Sequence, residues 1–155
     1  MNIAENTIKG SAGVARLWWI ALGLSLGPAV SNGLARFAYG LLLPAMRDDL
    51  GWNYTQAGWV NTANAIGYLI GAVLALAFVS RLGPARLFVW GMALTTLALL
   101  LSALSRDLWM LSFWRIIAGI GGAPVFIAGG AMASAIFAED RARNALVIAV
   151  YFGGG

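Results

Sequence analysis

The sequence predicts an all-α integral membrane protein. Three observations carry that reading. Apolar residues make up 61% of the chain and charged residues only 10%, whereas a soluble domain typically carries about 25% charged residues. The mean hydropathy is +0.81. Four long runs are almost free of charge, and each is long enough to cross ~30 Å of hydrocarbon as a helix.

The elements follow in order. Residues 1–16 read as a polar tail ending in Arg16, and Trp18 and Trp19 then suit a membrane interface. A first span is expected over about Leu17–Met46, too long for the apolar core of a signal peptide. A second is expected over Thr55–Val79, a third over Leu87–Leu104 and a fourth over Leu108–Phe137. The connections Arg47–Tyr54, Ser80–Arg86, Ser105–Asp107 and Ala138–Arg143 are short, and Gly83-Pro84 breaks the helix inside the second of them. A fifth run spans 144–155. It covers only ~18 Å at ~1.5 Å per residue, so the chain is expected to stop inside a helix.

The net charge is +4. In a soluble protein that balance would suggest nucleic acid, but here the loop arginines account for it and no nucleic-acid partner is expected. With the N-terminus in the cytoplasm, the inner side holds Lys9, Arg16, Arg81, Arg86, Arg141 and Arg143. The outer side holds only Arg47 and Arg106. The bias sets the expected orientation in a bacterial inner membrane. The chain has no cysteine and no histidine. That leaves the redox compartment unreadable and removes His-based catalysis and the common zinc and haem sites. No enzyme activity, metal or cofactor is expected.

Two arginines stand inside the spans. A charge at mid-membrane costs roughly 2.5–3.5 kcal/mol on insertion scales, so such residues usually face a cavity or a partner. Arg36 lies ~16 Å below the outer end of the first span, counting back from Arg47, and Arg115 lies ~12 Å below it, counting on from Asp107. Facing one cavity, the pair would suit a carboxylate or phosphate. The alternative is that each braces helix packing. Tyr39, three residues from Arg36, shares its face on α-helical spacing. Asn61, Asn64 and Tyr68 form a polar stripe on the second span. Gly67 and Gly71, with Gly119, Gly122, Gly129 and Gly130 on the fourth span, suit close helix packing. No Asp or Glu lies in an expected span, so any countercharge must come from an anion or from other helices.

The stretch Gly33-Leu-Ala-Arg-Phe-Ala-Tyr-Gly-Leu-Leu-Leu-Pro-Ala-Met46 resembles helix one of the major facilitator superfamily, nearest to its YbfB/YjiJ-type bacterial branch. Gln56-Ala-Gly-Trp-Val-Asn-Thr-Ala-Asn-Ala-Ile-Gly-Tyr-Leu-Ile-Gly71 resembles helix two of the same branch. In the gating loop after helix two, Arg81 and Gly83 match the superfamily pattern and Arg86 is shifted. Ser80 replaces the usual Asp, which puts the Asp-based gating contact in doubt. In helix four, Arg115, Gly119, Gly121 and Ala123 match Arg-x-x-x-Gly-x-Gly-x-Ala in full.

The resemblance implies the N-terminal part of a twelve-helix transporter, with four complete transmembrane helices and the start of a fifth. It implies a permease moving a small organic solute by alternating access, with the remaining helices, the lipid bilayer and an optional coupling proton as partners. Two positive intramembrane charges favour an anionic solute, with Arg36 as the prime contact. One alternative is a proton-coupled drug or metabolite exporter with Arg115 in coupling. The other is a truncated membrane protein that does not transport.

Overall fold

A computed structural model describes the backbone of residues 3–155 and the side chains of residues 13–155. The side chain of Lys9, used above to orient the chain, lies outside the described residues. The described residues form α1 (Ile3–Pro28), a π-helical segment (Ala29–Phe37), α2 (Ala38–Leu50), α3 (Tyr54–Leu82), α4 (Pro84–Ala103), α5 (Leu108–Ala135) and α6 (Arg141–Gly153). Four stretches among them are long and apolar enough to cross a membrane: Gly13–Leu50, Tyr54–Leu82, Pro84–Ala103 and Leu108–Ala135. α6, of 13 residues, begins the fifth run.

The first two connections are tighter than the sequence suggested, because glycines end α2 and α3 abruptly. α2 runs on to Leu50 and stops where Gly51 takes a left-handed φ of 66°, its N–H donating to the Arg47 carbonyl. Gly83 alone, at φ 77°, separates α3 from α4, and Pro84 then starts α4 at a position that needs no N–H. The backbone of residues 3–16, expected as a separate tail, is already helical from Ile3. Asn53 and Gln56 cap α3 reciprocally. Asp107 accepts from the Trp109 and Met110 N–H groups at the start of α5, and Asp140 does the same for α6.

The first span is not a uniform helix. Pro28 offers no N–H, and the nine residues after it wind with i→i+5 bonds, ending where the Ala38 N–H donates to the Gly33 carbonyl. Ser31, Ala35 and Tyr39, four residues apart, form the buried stripe of this span. The wider π turn keeps that spacing in line.

α5 is the hub. α3 and α4 both pack along it and scarcely touch each other. The reason lies in its glycines. Gly119 faces α3, where a Cβ would collide with the backbone of Asn64 and Tyr68. Gly121, two residues on, faces the opposite way and meets Gly91 and Thr95 of α4. Gly67 and Gly71 of α3 sit against the Ile116 and Ile120 carbonyls in turn. Ile120 is the residue whose carbonyl loses its helical partner at Pro124, so close approach of Gly71 covers an orphaned acceptor. In a bilayer, where lipid is as apolar as leucine, this backbone-to-backbone packing is a main source of helix association.

Two apolar clusters flank the glycine region. One joins Tyr39 and Val60 to Leu111 near the start of α5. The other joins Ala21, Ala133, Phe137, Val147 and Tyr151 near its end. The Tyr151 hydroxyl donates to the Val125 and Phe126 carbonyls at 3.1 and 2.9 Å, tying α6 to α5. Leu41, Leu69, Val73, Leu76, Trp90 and Leu100 are exposed, as lipid-facing residues are in such a fold.

The glycine contact is testable within one helix. Gly67→Val should lower the thermal midpoint of the detergent-purified protein by several degrees, because overpacking against rigid backbone costs typically 1–3 kcal/mol. Gly58→Val, on the same helix but with open space around it, should leave the midpoint nearly unchanged. Equal shifts, read by a thermal size-exclusion assay, would contradict the packing account.

Candidate functional site

Arg115 is the most unusual side chain in the structure. It lies on α5 one turn beyond Leu111 and one turn before Gly119, and is only 3% exposed. Three neighbours place it. The thinness of α3 and α5 at Gly67 and Gly119 lets the short Asn64 side chain reach across, and its Nδ2 donates to the Arg115 carbonyl at 2.9 Å. The Tyr39 ring of α2 lies against the guanidinium, with Cζ 4.4 Å from the ring centroid. The Tyr39 hydroxyl in turn approaches the Ala57 carbonyl of α3 at 3.4 Å. A buried cation over an aromatic face is a cation–π pair, worth ~2 kcal/mol or more when desolvated.

The ring covers one face of the guanidinium but satisfies none of its N–H groups. Nε and Nη2 are buried without a hydrogen-bond partner. The acids with described side chains stand at helix ends or in connections: Asp48, Asp49, Asp107, Glu139 and Asp140. None is on the turns around Arg115. Arg115 instead borders a half-open groove of about 160 Å³ between the π segment, α2, α4 and α5, lined by Leu34, Leu42, Met46, Leu99 and Leu111. A desolvated guanidinium with unpartnered donors has the chemistry to pair with an anion.

The other candidates from the sequence are distributed around this centre. Arg36 is exposed on the π segment and does not line the Arg115 groove. The two arginines are therefore not one paired site in this structure. The physical reason is the π turn, which puts Tyr39 on the Ser31–Ala35 stripe and leaves Arg36 beside it. Tyr39 consequently serves Arg115 rather than Arg36. The polar stripe of α3 also divides: Asn64 is buried on α5, Tyr68 is half-buried and Asn61 is exposed. Gly119, Gly121 and Ala123 of the helix-four motif are all buried, the glycines serving close packing on opposite sides of α5. Arg81 and Arg86 flank Gly83, both exposed, and neither pairs with an acid among the described residues.

Two features escaped sequence reasoning. The Ser31 hydroxyl is buried without a partner on the π segment, facing Gly122. The Tyr39–Arg115 pair was also missed; the spacing of Ser31, Ala35 and Tyr39 signals only that Tyr39 lies on a buried stripe.

Tyr39 gives a discriminating test. Tyr39→Phe keeps the ring and loses only a long hydroxyl contact, so the thermal midpoint should stay within a degree or two of wild type. Tyr39→Leu removes the cation–π face and should cost about 2 kcal/mol, seen as a clear drop in the same thermal assay. A Phe variant as unstable as the Leu variant would place the stabilisation in the hydroxyl instead.

Comparison with known proteins gives a consistent set of relatives. Residues 28–155 match the sequence family described as "Uncharacterised MFS-type transporter YbfB". A Haemophilus influenzae protein named "Putative metabolite transport protein" is 32% identical over 136 residues, covering 85% of this chain and 33% of that protein. The Escherichia coli K12 3-(3-hydroxy-phenyl)propionate transporter is 28% identical over 102 residues, covering 66% of the chain and 25% of its own length. The rice "Probable anion transporter 3, chloroplastic" is 30% identical over 103 residues, covering 65% and 20%. The chain thus spans a third or less of the length of these relatives. No solved structure matches.

Proposed function

The chain belongs to the YbfB-type branch of the major facilitator superfamily, and we propose that it forms the N-terminal part of a secondary active transporter for a small organic anion. The complete transporter would set this helix bundle against a second one and expose a midplane site alternately to the two sides of the membrane. The basic inner connections support a cytoplasmic N-terminus in a bacterial inner membrane. The relatives named for anion and hydroxyphenylpropionate transport support a negatively charged solute.

One observation carries the proposal: the Arg115 guanidinium is buried with unpartnered donors in a residue that borders a groove, and no acid on the surrounding turns neutralises it. A cation held in that state favours whatever brings a carboxylate to it. The solute supplies the countercharge when it binds and takes it away when it leaves, so occupancy changes the charge balance of the bundle core. Such a change can bias the two access states. Arg36, exposed on the π segment, is assigned a secondary part: its positive charge raises the local concentration of anions near the site without contacting them in the bound state.

Transport measurements on the complete protein test this. In proteoliposomes, Arg115→Met keeps much of the side-chain length and removes the charge. It should lower the rate for organic acids by about 10–100-fold, the loss expected for a charge-assisted pair of ~1.5–3 kcal/mol. Arg36→Gln should lower it only a few-fold. Full activity in Arg115→Met would refute the assignment, and the opposite ranking of the two variants would return the primary contact to Arg36.

A further inference from the structure

Arg81 and Arg86 stand on either side of Gly83, where α3 turns into α4, and neither has a part in the site proposed above. Both are exposed, and neither pairs with an acid among the described residues. α3 and α5 run parallel, Gly67 meeting Ile116 and Gly71 meeting Ile120, so the α5–α6 connection lies at the same end of the bundle. Its two acids are not available to these arginines. Asp140 is held by Arg143 at 3.1 Å and by the first N–H groups of α6, and Glu139 forms no ion pair with either. We propose that this corner of the bundle binds an anionic phospholipid, with the two arginines on its phosphate and an acyl chain in the groove between α3 and α4.

The groove follows from how the helices pack. α3 and α4 both lie along α5 and scarcely touch each other. A half-open furrow of about 150 Å³ therefore runs between them, floored by Ile120 and Pro124 of α5 and walled by Phe78 and Leu82 on one side and Leu87 and Trp90 on the other. Phe78, Leu82 and Trp90 are exposed along it, and a tryptophan suits the depth of the membrane interface. The arginines continue the same walls. Arg81 comes three residues after Phe78 and Arg86 four residues before Trp90, spacings that share a helix face. Cα–Cβ bonds tilt toward the N-terminus of their helix. That of Arg81, at the end of α3, is directed back along the groove, and that of Arg86, at the start of α4, out toward the membrane surface. The pair thus brackets the depth of a headgroup phosphate.

Two cations without an acid set the headgroup chemistry. Guanidinium groups donate charge-assisted hydrogen bonds to phosphate oxygens, and basic residues beside a span attract anionic lipid. The ammonium of a zwitterionic headgroup would stand beside two like charges with no carboxylate to meet it. A glycerol headgroup brings no such charge. A free phosphate would satisfy the arginines and leave the groove unused. Because Gly83 alone joins the two helices, both arginines sit on helical turns, which limits the ordering cost of holding a headgroup between them.

Native mass spectrometry of the complete protein tests the headgroup, with phosphatidylglycerol and phosphatidylethanolamine of the same acyl chains and inorganic phosphate as probes. Phosphatidylglycerol should be retained about tenfold over phosphatidylethanolamine. The double substitution Arg81→Gln and Arg86→Gln should bring that ratio close to one with an unchanged thermal midpoint, since both side chains are exposed. Arg106→Gln, at the opposite end of the bundle, should leave the ratio as in wild type. Tryptophan fluorescence tests the groove. Phosphatidylglycerol brominated on its acyl chains should quench the protein more than the brominated ethanolamine lipid, and Trp90→Phe should remove that difference. Equal retention of the two lipids by the wild-type protein, or a preference that survives the double substitution, would overturn the proposal. So would displacement of the lipid by inorganic phosphate, which would assign the arginines to a soluble anion. A quenching difference that persists in Trp90→Phe would place the acyl chain outside this groove and overturn the site as drawn.

Discussion

The close approach of α3 to α5 is the constraint on which the rest of this structure depends. Gly67 and Gly71 lie against the carbonyls of Ile116 and Ile120, and Gly119 lies against the backbone of Asn64 and Tyr68. Any side chain at these positions would push the helices apart. With the backbones in contact, Asn64 can cross the gap and bond the Arg115 carbonyl. The same packing fixes how far α5 stands from α2, and so whether Tyr39 reaches the guanidinium. Gly121, on the far side of α5, repeats the device against α4, which supplies a wall of the groove beside Arg115. The helix-four motif is thus a packing motif that holds an arginine at a set depth.

That arginine is kept at a cost. A charged group at mid-membrane is disfavoured by roughly 2.5–3.5 kcal/mol on insertion scales, and one with unpaired donors by more. The Tyr39 ring returns part of this through its quadrupole, and the Asn64 bond secures the backbone but not the charge. What remains is an unmet demand for a negative partner. A structural brace would meet that demand inside the bundle, with an acid on a neighbouring turn. Here no such acid stands on the turns around Arg115, and the residue borders a groove, which is the basis of the proposed anion site.

Much of this was legible in the sequence. The spans follow from uninterrupted apolar runs, and the glycine pairs and the arginine within the fourth span are residue types with few other uses in those places. The first two connections were read too long because Gly51 and Gly83 end helices within a single residue, and pattern alone does not reveal how abruptly a left-handed residue acts. The Arg36 register was misjudged for a different reason. Its face was read on α-helical spacing, but Pro28 removes a donor and the following turn widens to i→i+5. Tyr39 then falls on the stripe of Ser31 and Ala35, facing α5, and Arg36 is left exposed beside it. A proline followed by Ser31, Ala35 and Tyr39 at intervals of four was the available clue. The pairing of Tyr39 with Arg115 depends on helix-to-helix distances that no single-span pattern contains.

The central claim is that the Arg115 guanidinium receives a carboxylate from a small organic anion. Solid-state NMR on the complete transporter reports this contact directly, through the dipolar coupling between guanidinium nitrogen-15 and a carbon-13 label in the carboxyl group of a bound organic acid. A coupling corresponding to roughly 4 Å or less, the reach of a charge-assisted pair, that disappears in Arg115→Met is the predicted result. A bound acid with no such coupling, or a coupling that survives in Arg115→Met, would contradict it.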